Sequence, residues 1–203
     1  MSDYWNHNTA FHPELVAAVA GSSCRVLDIG CGDGLLIERL AASAEYVVGI
    51  DPDQAAVARA QQRLATTPNA RVVHGGFLDP AALDSAPFDL ITCVAALHHM
   101  PLAPALERMK DLLAPGGMLH IVGLAENKTA ADYLTAAAMA FPVFVISRLR
   151  RQSAYPGMTT AEPRESIGEI RDTAATILPG HRLRRRFHFR YTLTWTKPAM
   201  PGH

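Results

Sequence analysis

Between residues 25 and about 124, short apolar runs alternate with stretches whose apolar positions recur at helical spacing. Arg25-Val-Leu-Asp-Ile29 is a run of the buried type that stops at Gly30-Cys-Gly-Asp-Gly34, and Leu35-Leu-Ile-Glu-Arg-Leu40 then has helical spacing. Further strands are predicted over 46–50, 71–74, 88–94 and 118–124. Helices are predicted over 54–64 and 102–113, the second closed by Pro115-Gly116-Gly117. Single strands separated by helices imply right-handed parallel crossovers, hence an α/β chain with a doubly wound sheet.

The pattern changes after residue 127. A helix over 132–151 is expected to be interrupted near Pro142. A second, over 163–178, has proline in its first turn and stops before Pro179-Gly180. Leu183, Arg185, Phe187, Phe189, Tyr191, Leu193 and Trp195 alternate with mostly polar partners over 13 residues. That is too long for one ordinary strand, so two strands turning near 188–190 are expected.

Composition sharpens this picture. Of 203 residues, 49% are hydrophobic and 19% charged, which excludes intrinsic disorder and is ample for one buried core. The 19 basic and 19 acidic residues cancel, arguing against a nucleic-acid binder held by bulk charge. The zero is an average, however: residues 1–126 hold 7 basic and 14 acidic side chains (−7), and 127–203 hold 12 and 5 (+7). Cys24, Cys31 and Cys93 form no CxxC pair, so no disulfide framework or zinc site follows, and no metal is expected. The start, MSDYWNHNTAF, lacks a basic-then-apolar leader. The most apolar stretch, 134–146, holds 13 residues where a membrane span needs about 20. The expected address is a reduced cytoplasm.

The chemistry concentrates in Val26-Leu-Asp-Ile-Gly-Cys-Gly-Asp-Gly34 and in Asp51, 21 residues after Gly30. Glycines at 30 and 32 let a strand turn sharply into a helix while the backbone approaches a ligand. The helix start offers unpaired N–H groups, and Asp51 at the end of the second strand suits two ribose hydroxyls. The dinucleotide fingerprint G-x-G-x-x-G would need glycine at position 35, where Leu35 stands. Asp28, two positions before the first glycine, would repel a pyrophosphate but suits an ammonium or sulfonium. S-adenosylmethionine therefore fits this site better than NAD.

With VLDIGCGDG (26–34), VVGIDPD (47–53), PFDLITCVAALHHM (87–100) and LLAPGGMLHIVG (112–123) in this order, the chain resembles the class I S-adenosylmethionine-dependent methyltransferases that act mainly on small molecules. The resemblance spans roughly residues 4 to 198. It implies a Rossmann-like, seven-stranded sheet, mostly parallel with the last strand antiparallel, and helices on both faces. It also implies one methyltransferase domain over 1–203: an N-terminal cap (1–24), a cofactor core (25–126), a substrate-covering insertion (127–160) and a final helix and hairpin (161–203). Carried over, Asp28 would orient the methionine amino group, and Gly30, Cys31 and Gly32 would pack their backbone on the methionyl part. Asp51 would hold the ribose hydroxyls, Pro52 would line the adenosine side, and Val94 would touch the methionine part through its backbone. Related sequences often carry an acid after the third strand for the adenine amino group. Here Gly76 occupies that position, leaving the Phe77 backbone N–H and the Asp79 carboxylate as candidates.

Methyl transfer from a sulfonium is an in-line displacement that needs alignment first, and a base when the acceptor is a hydroxyl or amine. His98 and His99, at the carboxyl edge of the sheet, are the candidate bases, His99 before His98. They equally suit a role as strand-end packing. The N-terminal 4–13 segment, with His7 and His12, reads as a lid or as a docking strip. Met139, Phe141, Val143, Phe144, Val145 and Ile146, followed by Arg148, Arg150 and Arg151, read as a lid for an apolar acceptor, as a peripheral contact with anionic lipid, or as a core helix or dimer face flanked by solvated arginines. Arg182, Arg184, Arg185, Arg186 and Arg190 resemble a nucleic-acid patch, but alternation places Arg182, Arg184 and Arg186 on one strand face, read instead as a solvated edge-strand face. The partner is thus a small-molecule acceptor. Alternatives are a non-catalytic protein keeping the nucleoside pocket and an NAD-dependent oxidoreductase, disfavoured by Leu35 and Asp28.

Overall fold

The computed structural model describes residues 4–19, 23–83, 87–149 and 162–199. Seven strands form one sheet in the order β3-β2-β1-β4-β5-β7-β6. They are β1 (Arg25–Ile29), β2 (Tyr46–Asp51), β3 (Ala70–His74), β4 (Phe88–Val94), β5 (Leu113–Gly123), β6 (Arg182–Arg186) and β7 (Arg190–Thr196). β1 to β5 pair in parallel, while β7 runs antiparallel to both β5 and β6. The expected doubly wound, Rossmann-like sheet with an antiparallel last strand is what forms.

The central strands are apolar at nearly every position because both faces are covered. On one face Leu27, Ile29, Ile91, Ile121 and Leu193 pack with helices α4 (Leu102–Leu112) and α6 (Ile167–Ile177). On the other, Val26, Val47, Leu90 and Val122 pack with α1 (His12–Ala17) and α2 (Leu35–Ala41), together with Leu64 just beyond α3 (Gln54–Arg63). The chain leaves β1 toward β2 and β3, then returns on β1's other side as β4. The strand order thus reverses at β1 and β4, and open α/β sheets bind ligands in the crevice at the carboxyl edge beside such a switch point.

Two expectations are corrected. The helix over 132–151 is α5, Ala130–Leu149, and it runs unbroken through Pro142. A proline removes one hydrogen bond, and the flanking turns carry the helix across the gap. Its start is set by Thr129 and Asp132: Thr129 Oγ1 accepts the Asp132 N–H (3.2 Å) while the Asp132 carboxylate accepts the Thr129 N–H (3.0 Å). Second, α6 begins at Ile167 rather than at Pro163, because Ser166 and Glu169 close a reciprocal capping box there. The expected terminal hairpin forms, with its turn between β6 and β7: Phe187 and Phe189 are exposed there, and His188 and Phe189 adopt left-handed backbone. Arg150 and Arg151 lie outside the described residues.

β7 is tied down at both ends. The Trp195 indole N–H donates to the Pro179 carbonyl (2.9 Å), and the Tyr191 ring lies buried over Gly123, its register partner on β5. A Cβ at Gly123 would sit 2.3 Å from the ring's Cζ and Oη. Gly123→Ala is therefore expected to destabilise the fold by about 1–3 kcal/mol through overpacking, read as a lowered urea midpoint. An unchanged midpoint would mean that the ring has room to move.

Candidate active site

The crevice at the carboxyl edge opens into a cavity of about 560 Å³. Its floor is the turn from β1 into α2. Gly30, Gly32 and Gly34 all have left-handed backbone (φ +71°, +56° and +78°), which side chains disfavour. A Cβ at Gly30 would lie 2.3 Å from the Ala96 Cβ, so the turn and the segment after β4 touch only because Gly30 has none. Ala95, itself left-handed at φ 52°, is held by its N–H to the Val122 carbonyl (2.7 Å).

Asp51 joins two of these loops. Its carboxylate accepts the Gly32 N–H and the Asp53 N–H, each at 2.9 Å. One bond per oxygen fixes the group and leaves each oxygen able to accept another. Asp28 is buried; its Oδ1 accepts the Thr92 hydroxyl at 2.7 Å. Burial raises its pKa to about 7, with Thr92 opposing and Asp51 adding to the rise. No cationic side chain among the described residues pairs with Asp28 or Asp51, so this end of the cavity suits a ligand with hydroxyls and a positive charge.

Asp33, between the glycines, has a different role. The Arg63 guanidinium donates to its carboxylate (2.8 Å) and its carbonyl (3.0 Å), and to Glu38 (3.0 Å). The Tyr4 hydroxyl completes the set at 3.0 Å. Arg63 thus pins the glycine turn to α3 from below, and Tyr4 ties the N-terminal segment over it.

All ten sequence-proposed site residues line this cavity: Asp28, Gly30, Cys31, Gly32 and Asp51 on the β1–β2 side, Pro52 and Phe77 beside them, and Val94, His98 and His99 after β4. His98 and His99 share a short 3₁₀ turn, Leu97–His99, their ring centroids 4.3 Å apart, with His99 the more exposed. Asp79 is not part of the lining. Its carboxylate accepts the Ala81 N–H and caps Pro80–Ala82.

Among the described residues the cover of the cavity comes from the N-terminal segment. No described residue of α5 lines the cavity; Tyr133, Leu134, Phe144, Val145 and Leu149 face outward, while Val143 is buried. The side chains of Met139 and Phe141 lie outside the described residues. The cavity is instead closed by Tyr4, Asn6, Asn8, Thr9 and His12, and His7 stacks on His188 of the hairpin turn (4.6 Å). On the edge strand β6, Arg182 and Arg184 are exposed as expected, whereas Arg186 pairs with Glu14 at 2.7 Å. Arg185 pairs with Asp132. Arg190 sits on the inner strand β7 and reaches the cavity. Asn8 and Arg190 were missed because their pairing joins positions 182 residues apart; no local motif announces it.

Comparison with known proteins decides the family. The methyltransferase domain family matches residues 26–117. An uncharacterized methyltransferase of Mycobacterium tuberculosis is 35% identical over 206 residues, covering 98% of this chain and 100% of that one. The chain belongs to the class I S-adenosylmethionine-dependent methyltransferases. A ubiquinone biosynthesis O-methyltransferase of Aromatoleum aromaticum is 34% identical over 113 residues, 55% of this chain and 47% of that protein. The N-methyltransferase NodS of Bradyrhizobium japonicum shares the fold with a TM-score of 0.62 at 18% identity, over 94% of this chain and 96% of that one. The oxidoreductase alternative falls with this assignment.

Two outcomes test the methyltransferase site. A cationic ligand prefers ionised Asp28, so binding must release a proton. Affinity for S-adenosylmethionine should therefore rise on the order of tenfold between pH 5.5 and 7.5, measured by calorimetry in buffers of different ionisation enthalpy. A flat profile without proton release would remove Asp28 from the contact. Arg63→Met strands the buried Asp33 carboxylate and should cost about 3–5 kcal/mol. Combining it with Asp33→Asn should recover part of that loss in the same denaturation assay.

Proposed function

We propose that this methyltransferase binds S-adenosylmethionine along the β1–β2–β4 edge and methylates an O, N or C nucleophile of a small acceptor. The observation that carries the reading is the pair of carboxylates, Asp28 and Asp51, on one cavity wall without a cationic side-chain partner among the described residues. Asp51 accepts the ribose hydroxyls, its two backbone N–H bonds holding it in place. Asp28 accepts from the methionine ammonium. Gly30, Cys31 and Gly32 present bare backbone to the methionyl part, Val94 does so from β4, and Pro52 and Phe77 bracket the adenosine. Open space beside Gly76, where a Cβ would meet nothing within 4 Å, leaves room at the adenine end.

When bound, the cofactor supplies an electrophilic methyl group on a sulfonium. The protein's part is to hold acceptor and methyl in line and to exclude water, which the Tyr4–His12 strap does from above. His99, with His98 against it, takes the proton of a hydroxyl or amine acceptor. The reading keeps one domain over 1–203, with the strap in 1–24 and the cofactor core in 25–126. Among the described residues no helix is long and apolar enough to cross a membrane, and the three described cysteines are free and buried; a reducing cytoplasmic setting accords with both.

Asp51→Ala removes the acceptor of two hydroxyl hydrogen bonds, roughly 1.5–3 kcal/mol. Affinity for S-adenosylhomocysteine should fall ten- to a hundredfold by calorimetry; unchanged affinity would move the ribose contact elsewhere. A protein that only binds the cofactor would saturate yet release no S-adenosylhomocysteine across an acceptor panel.

A further inference from the structure

The hairpin arginines differ in one respect that sequence conceals. Arg185 is closed by Asp132 and Arg186 by Glu14, but Arg190 has no acid partner among the described residues. Its Nε and Nη2 donate to Asn8 Oδ1 at 3.1 and 2.9 Å, and Nη1 donates to the His188 carbonyl at 3.2 Å. Both acceptors are uncharged. A guanidinium has five N–H donors, so three are engaged and two remain. The group is half-buried, and that burial lowers its pKa to about 10. A desolvated cation without a counter-charge is costly unless an anion joins it.

Its position excludes an accidental surface charge. Among the described lining residues Arg190 is the one Lys or Arg side chain, whereas Asp28, Asp33, Asp51 and Asp53 all stand on the β1–β2 side. β7 lies three strand steps from β1, about 14 Å at ordinary strand spacing. The cavity is therefore polarised, negative where a cationic cofactor lies and positive at the far end. The guanidinium is also held ready, since Asn8 and His188 fix its fork before any ligand arrives.

The geometry points to Arg190 as the seat of a carboxylate on the methyl acceptor. This rests on the cofactor occupying the Asp28–Asp51 side; it adds that the acceptor is a carboxylic acid whose anion pairs with Arg190 while its nucleophile faces the sulfonium methyl. Arg forks match carboxylates bidentately, and Asn8 places that fork under the N-terminal strap, so the strap both covers the acceptor and orients the residue that selects it. Nearby His7 and His188 are held neutral, first by burial, with the Arg190 charge contributing. A seated carboxylate offsets that charge, so their titration should shift upward.

The test uses the full chain saturated with S-adenosylhomocysteine and three matched probe pairs: acetate and acetamide, hexanoate and hexanamide, 4-hydroxybenzoate and 4-hydroxybenzamide. Calorimetry should show at least one acid binding tenfold or more tighter than its amide. Arg190→Gln should level that pair, Arg190→Lys should keep part of the difference, and S-adenosylhomocysteine affinity should stay within twofold in both. Asn8→Asp gives the guanidinium an internal carboxylate without removing it. It should abolish the acid preference while leaving thermal stability at or above wild type, and it serves if Arg190→Gln fails to fold. Acid binding should also raise the His7 and His188 titration points by NMR. If no acid exceeds its amide, the proposal is overturned. If Arg190→Gln instead weakens S-adenosylhomocysteine tenfold and leaves the acid preference intact, Arg190 serves the cofactor's own carboxylate and the proposal likewise fails. Failure of wild type to bind S-adenosylhomocysteine would overturn the cofactor reading itself, seen in the first titration.

Discussion

The turn leaving β1 lies against the segment leaving β4, and the contact leaves 2.3 Å between the place of a Gly30 Cβ and the Ala96 methyl. Much of the site depends on that approach. Beside it, the β1–β4 register sets Asp28 next to Thr92, and the Gly32 N–H reaches Asp51 at the end of β2. Three strand ends are thereby locked into one wall. The buried Arg63–Asp33 pair holds the same turn from the α3 side, so the floor of the cavity is positioned twice, once by absence of side chains and once by charge.

The cover is built differently. Residues 4–12 are held across the opening by contacts from the opposite end of the chain: Arg190 to Asn8, Arg186 to Glu14 and over the Phe11 ring, His188 against His7. Beneath these contacts Asn6, Thr9, Phe11 and His12 are themselves buried, and Phe11 belongs to the core on that face of the sheet. The strap is thereby joined to the terminal hairpin, while α5 contributes no described residue to the cavity.

Most of the fold was legible from residues 25 to 124. Strands there are short apolar runs because both faces of a parallel sheet are buried, and glycine or Asp-Pro marks their ends; β1 and β4 occupy the predicted residues. Misreadings cluster after residue 127. Pro142 was given more weight as a breaker than a long helix grants it, and Pro163 was preferred to the Ser166–Glu169 capping box as a helix start.

By itself the sequence determined the sheet, its glycine turn and the two carboxylates on its edge, because those features are local: a run length, a missing Cβ, an acid at a strand end. It also carried the methyltransferase assignment, whose motifs lie along a single stretch of chain. Only the tertiary structure decided what each charge does. Asp33 proved to be a clamp and Asp28 an unpaired acid, though both sit in one nine-residue motif. Arg185 and Arg186 proved neutralised while Arg190 did not, though all belong to one basic run. Pairing is a property of distance in space, set here by strand order and by the meeting of the two ends of the chain. The neutral total charge thus conceals a cavity with an acidic end and a basic one.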